Sequence, residues 1–323
     1  MGTHALIIGE SLIDVVQRPD GSTEEHVGGS LANVAVGLAR LGHDITFATL
    51  VGNDERGTRI ANYLETEGIS LINGNPARIR SPTSVATSTL DASGTATYQF
   101  DLAWELPQVQ LPERPQLLTD AEHVHTGSIA ATLEPGASAV LTAIQSARPG
   151  ATISYDPNAR PALMGSPHEV RAKIEALIGL SDVVKASDED IAWLYDGAPI
   201  SDVLRLWGQL GPVLTVVTRG GNGAVVGLST TGELTSVEAP AVRVVDTVGA
   251  GDSFMAGLLS GLLEAGLLGG VQARERLRSA SLPDVRPALD RALACAAITV
   301  SRAGANPPRL AELPPPNPLG HGM

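Results

Sequence analysis

Positive charge is scarce in this chain. Lysine and arginine total 22 against 35 aspartate and glutamate, a formal net charge of −13. No block of basic residues offsets this, which argues against a phosphate-backbone footprint and so against nucleic acid as a partner. Lysine occurs only at Lys173 and Lys185, arginine supplying the rest. Cysteine is reduced to Cys295, which excludes an intrachain disulfide and a Cys-rich zinc site. No uninterrupted apolar stretch approaches membrane-spanning length, and the N-terminus lacks a basic region followed by an apolar signal core. The expectation is a soluble cytoplasmic protein without a membrane partner.

Several catalytic signatures are also missing. There is no G-x-x-x-x-G-K-[ST] phosphate loop and no H-E-x-x-H pair. Gly127-Ser128 lacks a G-x-S-x-G context. Gly249-Ala-Gly251 lacks the third glycine of a dinucleotide fingerprint, Phe254 standing in its place. His123 and His125 alternate in a strand-like run without acidic or cysteine company, which favours ordinary packing or solvent contact over a metal.

What the chain does contain is Asp246-Thr-Val-Gly-Ala-Gly-Asp252-Ser-Phe, set between a strand-like run, Ala241 to Val245, and a helix-like run, Ser253 to Leu268. A Gly-rich turn entering a helix leaves backbone N–H groups unpaired and aimed together, and the helix dipole makes the place attractive to an anion. Asp252 adds a carboxylate at the mouth of that cradle. It would repel a resting phosphate but could accept a proton from an attacking hydroxyl, the combination for phosphoryl transfer to an alcohol. The same residues also fit a helix N-cap aspartate after a glycine turn, with no chemistry.

Along the chain, Ala5 to Ile8 reads as a strand buried on both faces. Leu12–Gln17 and Thr23–Val27 flank the turn Arg18-Pro-Asp-Gly21, and Ser84–Leu90 and Thr95–Asp101 flank Asp91-Ala-Ser-Gly94, giving two hairpins too polar for a core. They suit a small sheet standing off the main body, a lid. Leu31 to Leu41 reads as a helix ended by Gly42, Ile45 to Val51 as a strand and Arg56 to Glu67 as a helix. Strand-like runs near 123–126, 152–155, 183–185 and 213–217 then alternate with helices, and a helix is expected from Arg286 to about Arg302. This pattern predicts an α/β fold with a mainly parallel central sheet covered on both faces.

In such sheets ligands bind beyond the carboxyl ends of strands. Asp14, Gly28, Gly29, Asn33, Asp156, Asn158, Arg160, Lys185, Asp188, Thr218, Gly220, Gly223 and Asp246 all fall there. Each also has a local reading: Asp156-Pro-Asn158 as a turn, Asp188 as an N-cap, Gly220 to Gly223 as a hairpin turn. Their shared position is what favours a cleft.

Taken together, these residues resemble the ribokinase-like (phosphofructokinase-B) carbohydrate kinases over nearly the whole chain. The C-terminal signature is Asp246 to Gly257. The N-terminal one starts Gly28-Gly-Ser-Leu-Ala-Asn33 and departs at Leu31, where the family usually has Pro, Gly or Ala. The resemblance implies a three-layer ribokinase-like fold with a β-sheet lid near 11–27 and 84–101, one kinase domain over 1–312 and a Pro/Gly-rich tail over 313–323. It also implies roles. Asp252 would be the base, and the N–H groups of Gly249, Ala250 and Gly251 the anion hole. Asp14, Gly28, Gly29, Asn33, Asn158 and Arg160 would meet the sugar, Arg160 alternatively the nucleotide phosphates. Thr218, Gly220 and Gly223 would lie along ATP. Lys185 to Asp188 would stand for the family's Asn-x-x-Glu element, with Asp188 and Glu189 reaching Mg²⁺ through water. Arg302-Ala-Gly304-Ala resembles the family's monovalent-cation loop, holding K⁺ with Asp246 and Val248. The lid implies a homodimer contact.

Within that family, Gly9-Glu-Ser-Leu-Ile-Asp14 and Asp156-Pro-Asn-Ala-Arg160 are most similar to fructokinases. The expected function is therefore ATP- and Mg²⁺-dependent phosphorylation of fructose. A 2-keto-3-deoxygluconate kinase or a ribokinase is the alternative, and a nucleotide or sugar sensor is the alternative outside enzymes. The presence of both Asp252 and the Gly249–Gly251 turn argues against a sensor.

Overall fold

The computed structural model describes residues 4–73, 81–91, 96–106 and 117–315. The chain begins with β1 (His4–Ile8), buried on both faces, and then leaves the main body for β2 (Leu12–Gln17) and β3 (Thr23–Gly28). It returns through α1 (Ser30–Arg40), β4 (Asp44–Ala48), α2 (Glu55–Thr66) and β5 (Ser70–Ile72). A second excursion forms β6 (Val85–Leu90) and β7 (Ala96–Asp101).

From there strands and helices alternate: α3 (Leu117–Asp120), β8 (His123–Gly127), α4 (Gly136–Ala147), β9 (Thr152–Asp156), α5 (Pro161–Met164), α6 (Pro167–Leu180) and β10 (Val183–Ser187). Next come α7 (Asp188–Leu194), α8 (Ile200–Leu210), β11 (Leu214–Thr218), β12 (Ala224–Leu228) and β13 (Glu233–Val237). Three helices close the fold: α9 (Ala250–Glu264), α10 (Val271–Arg278) and α11 (Leu282–Val300).

The main sheet has the order β13-β12-β11-β10-β9-β8-β1-β4-β5. It is parallel from β11 to β5, and β12 and β13 are antiparallel additions. Period-two alternation sends Ala5 and Ile7 of β1 to one face and Leu6 and Ile8 to the other. The first face packs on α1, α2, α9, α10 and α11, the second on α3, α4, α6, α7 and α8. The result is the expected three-layer ribokinase-like architecture. From β1 the chain proceeds to β4 and β5 on one side, whereas β8 to β11 build outward on the other. The β1/β8 junction is thus the switch point at which such sheets open a crevice.

The two excursions join in a separate four-stranded sheet, β3-β2-β6-β7, in which β2 pairs with β6 in parallel. One feature departs from expectation: this sheet is not wholly outside the core. Ile13 and Val15 are buried in the larger apolar cluster, because alternate residues of β2 face the body while Leu12 and Asp14 point to the opposite face. Residues 92–95, with most of the expected Asp91–Gly94 turn, and residues 316–323 of the expected tail lie outside the described residues.

The strand expected over Ala241 to Val245 does not form. Val242, Val244 and Val245 stand 41–58% exposed, and this β-branched run has no sheet neighbour. The N–H groups of Val245 and Asp246 instead donate to Val300 O at the end of α11. Helix α11 also begins earlier than expected, at Leu282, because Ser281 and Asp284 form a capping box there and Pro287 is carried inside the helix.

Helix α9 is buried from Asp252 through Leu263, which suits its apolar composition. Its glycines set how closely α11 approaches. A Cβ on Gly261 would lie 2.5 Å from Ala288 Cα, and one on Gly257 2.8 Å from Ala292 Cα. Gly261→Val should therefore destabilise the fold by about 1–3 kcal/mol through overpacking, seen as a melting temperature several degrees lower. An unchanged melting temperature would contradict this packing.

Candidate active site

The N-termini of α1 and α9 converge at the switch point. Each is entered through a glycine in a left-handed backbone conformation, Gly29 (φ 105°) and Gly249 (φ 73°), where a side chain would be strained. An added Cβ would also stand 2.7 Å from Glu10 O at Gly29 and 2.6 Å from Ala305 Cβ at Gly249. Asp252 lies in the first turn of α9 and is buried. Its Oδ1 accepts from Ser30 Oγ at 2.7 Å and its Oδ2 from Asn33 Nδ2 at 2.8 Å, both donors carried by α1. Asn158 Nδ2 donates to Ser30 Oγ at 2.7 Å, which adds the loop after β9 to the same cluster.

These groups open on a cleft of about 530 Å³. Asp14, Gly29, Asn33, Asn158, Arg160, Glu189, Val248, Gly249, Gly251 and Asp252 all line it, as the sequence suggested. Leu12, Ala86, Phe100 and Leu102 line it from the small sheet, which therefore roofs the cleft. Gly28 is not part of the lining. It makes room for Asp14, whose carboxylate an added Cβ would strike.

Other expected residues take different places. Ala250 N–H donates to Thr247 O at 3.2 Å, which takes it out of the expected anion hole and leaves the N–H groups of Gly249 and Gly251 for that role. Lys185 is buried beneath the cradle rather than presented in the cleft. Its ammonium lies 2.7 Å from Asp156 Oδ2 and donates to Gly251 O at 3.2 Å. Burial works against this charge, yet Asp156, Asp252 and Asp190 leave Lys185 above the ordinary lysine value. Burial likewise pushes Asp156 up to about 6 against the pull of Lys185, so the pair is charged at neutral pH.

Asp188 is exposed and does not line the cleft. The Asn-x-x-Glu spacing fits Ser187 to Asp190 equally, and it is this pair that faces the cleft. The N-cap of α7 is Ser187, not Asp188, and Asp190 returns the capping bond at 2.7 Å while also accepting from Ala159 N at 2.7 Å. Thr218, Gly220 and Gly223 lie off the cleft in the β11–β12 turn, yet Thr218 pairs in register with Ser187, so the row of strand ends continues toward them. Asp246 ties its own loop to the C-terminal one, accepting from Val248 N at 3.0 Å and Gly304 N at 2.8 Å. His123 and His125 are packing residues: they share hydrogen bonds with Thr152 and Ser154, and burial lowers both to about 3.

Sequence reasoning missed Glu10, Ser30, Ser128, Asp190 and Trp193, all in the lining. Glu10 shares a post-strand segment with Asp14, and Ser30 sits inside the Gly28–Asn33 signature, so both had a signal. Ser128 had none. Burial pushes Glu10 up to about 7, opposed by the hydrogen bond from Ser30 N and by the charge of Arg160. Asp14 rises to about 6, also by burial, with Asp252 adding repulsion against the pull of His26 and Arg160.

A buried carboxylate, polar side chains at its flanks and a glycine turn at a helix N-terminus are the parts that a group-transfer enzyme acting on a hydroxyl requires. The comparisons give the class a family. The pfkB family carbohydrate kinase model matches residues 3–312, and the chain belongs to that family. It is 33% identical over 263 residues to the fructokinase of Klebsiella pneumoniae, covering 81% of this chain and 85% of that protein. Among solved structures it is similar to the ATP-bound fructokinase of Xylella fastidiosa, with a TM-score of 0.80, 25% identity and coverage of 97% and 96% of the two chains. A double mutant of the fructokinase of Vibrio cholerae O395, in a fructose-, ADP- and potassium-ion-bound form, gives 0.73 at 27% identity over 94% of each chain.

The raised Glu10 has a measurable consequence. The folded state binds a proton that the unfolded chain releases near pH 4.5. The stability this proton contributes is complete below that pH and is lost as pH rises through about 7. Glu10→Gln removes the titration, so its stability relative to the wild type should rise between pH 5 and pH 8, by at most about 3 kcal/mol. Urea denaturation at the two pH values measures this. A difference that does not change with pH would contradict the burial of a titrating Glu10.

Proposed function

We propose that the protein transfers the γ-phosphoryl group of ATP to a hydroxyl of fructose, with Asp252 as the general base. The observation that carries this reading is the placement of Asp252. Its carboxylate stands at the start of α9, oriented by Ser30 and Asn33, in a cleft roofed by the small sheet. Each oxygen accepts one protein hydrogen bond and keeps a lone pair for a substrate hydroxyl. As the sugar oxygen bonds to the γ-phosphorus, Asp252 takes its proton, the bond to the bridging oxygen breaks and ADP leaves. The N–H groups of Gly249 and Gly251 face the transferring phosphoryl group, and fixed dipoles of this kind need no reorganisation during the reaction.

The nucleotide is assigned to the row of strand ends running through Ser187 to Thr218, Gly220 and Gly223. A divalent cation, Mg²⁺, fits the acidic donor Glu189 at the cleft, Asp190 having both oxygens held by Ser187 and Ala159. Magnesium commonly takes one or two carboxylates together with substrate phosphates, so a full protein cage is not needed. When bound it supplies charge neutralisation on the phosphates. The joined loops at Asp246, Val248 and Gly304 are the place we assign to K⁺. Self-association is assigned to the small sheet, whose edge strand β7 carries Tyr98, 63% exposed and stacked on Phe100.

Charge favours a neutral sugar. The cleft lining carries Glu10, Asp14, Glu189, Asp190 and Asp252 against Arg160. Arg160 spends Nη1 on Asn158 O, Asn158 Oδ1 and Ala159 O, at 2.7–3.2 Å. A carboxylate-bearing substrate would meet mostly repulsion there.

One experiment tests substrate and base together: coupled assays of the wild type and Asp252→Asn with ATP and fructose, ribose, 2-keto-3-deoxygluconate, adenosine or fructose 6-phosphate. Fructose should give the highest kcat/KM, and Asp252→Asn should lower kcat by ~10²–10⁴-fold with sugar binding retained. Preference for 2-keto-3-deoxygluconate would replace the substrate assignment, and a variant with near-wild-type kcat would remove the base.

A further inference from the structure

We propose that Glu10 is a sugar-binding, specificity-determining residue, whose free carboxyl oxygen accepts a hydrogen bond from an acceptor hydroxyl that does not itself react. The proposal rests on the sugar-kinase reading and extends it to a residue outside the set transferred from the family signatures.

Glu10 follows β1 at the switch point, is 5% exposed and lines the cleft beside Asp14, Ser128 and Arg160. Its Oε1 accepts from Ser30 N at 3.2 Å. Its Oε2 is buried and meets no hydrogen-bond partner among the described residues. Buried polar atoms are almost always paired, so an idle carboxyl oxygen in a ligand cleft calls for a donor from the ligand. Asp252 and Asp190 differ in this respect. Asp252 has both oxygens engaged by Ser30 and Asn33, and Asp190 has both engaged by Ala159 and Ser187.

The surroundings restrict what that donor is. Asp14 and Asp252 nearby repel an anionic group, while Arg160, the nearest cation, gives Nη1 to its own loop. An uncharged hydroxyl meets both conditions. Ser128, beside Glu10 in the cleft lining, holds φ 52°, a left-handed backbone conformation that non-glycine residues seldom adopt, and such conformations gather at binding sites.

The test is a set of calorimetric titrations of fructose and its singly deoxygenated analogues into the full-length wild type, Glu10→Gln and Glu10→Ala. These need no turnover. In the wild type, one analogue whose missing hydroxyl is not the reacting one should bind about 10- to 100-fold more weakly than fructose. Glu10→Ala should lose a similar factor for fructose and no longer distinguish fructose from that analogue, while the penalties at other positions remain. Glu10→Gln keeps an oxygen for Ser30 N and the side chain's shape, and it should reduce the same penalty even if the alanine variant fails to fold. Retention of every deoxy penalty in both variants, or a uniform weakening of all sugars, would overturn the proposal and leave Glu10 as support for the Ser30 turn. If another sugar binds better than fructose, the fructokinase reading falls, and the same cycle on that sugar's deoxy analogues decides Glu10. If no sugar binds the wild type, the proposal is overturned as well.

Discussion

The hydrogen bond from Ser30 Oγ to Asp252 Oδ1 spans 222 positions of sequence and joins the starts of two helices. With the Asn33 bond to the other oxygen, it fixes one carboxylate between the N-termini of α1 and α9. Both helix dipoles point their positive ends at that place, which offsets the gathering of carboxylates there. The geometry of the site therefore depends on how α1, α9 and α11 pack. That packing is close because small residues face one another: Gly37 meets Ala256, and Gly257 and Gly261 meet Ala292 and Ala288. The core is in this sense part of the site, since a shift of α9 moves the Asp252 carboxylate and the Gly249–Gly251 turn together.

Beneath the cradle, Lys185 links the sheet to the chemistry. It pairs with Asp156 on the neighbouring strand and holds the Gly251 carbonyl from below. A buried ion pair is costly to assemble, and removing one member leaves an uncompensated charge, so it is weak evidence for stability as such. Here it fixes the height of the turn above the sheet. Thr152, Ser154, His123 and His125 extend the same polar face away from the cleft, paired with one another by hydrogen bonds.

Much of this was legible in the sequence because its signals were local. The buried run Ala5–Ile8, the helix ended by Gly42, the two hairpins and the Gly-rich turn into α9 each follow from periodicity or turn chemistry within a dozen residues. What could not be read depends on distant partners. The Ala241–Val245 run has strand composition but no neighbour to pair with, its bonds going to the end of α11. Asp188 and Asp190 differ by two positions in sequence, and only the direction of α7 decides which one faces the cleft. Glu10 and Ser128 acquire meaning from the adjacency of β1 and β8, strands separated by more than a hundred residues. Lys185, expected as the first residue of the Asn-x-x-Glu element, is instead buried against Asp156 beneath the Gly251 carbonyl.

The central claim is that one carboxylate, held between two helix N-termini, receives the proton of the acceptor hydroxyl. A crystal structure of the ternary complex with fructose and a non-hydrolysable ATP analogue tests it most directly. The account predicts a fructose hydroxyl within about 2.6–3.2 Å of an Asp252 oxygen, in line with a γ-phosphate set against the Gly249 and Gly251 N–H groups. A sugar bound in the cleft with no hydroxyl near Asp252, or a γ-phosphate held away from that turn, would contradict it.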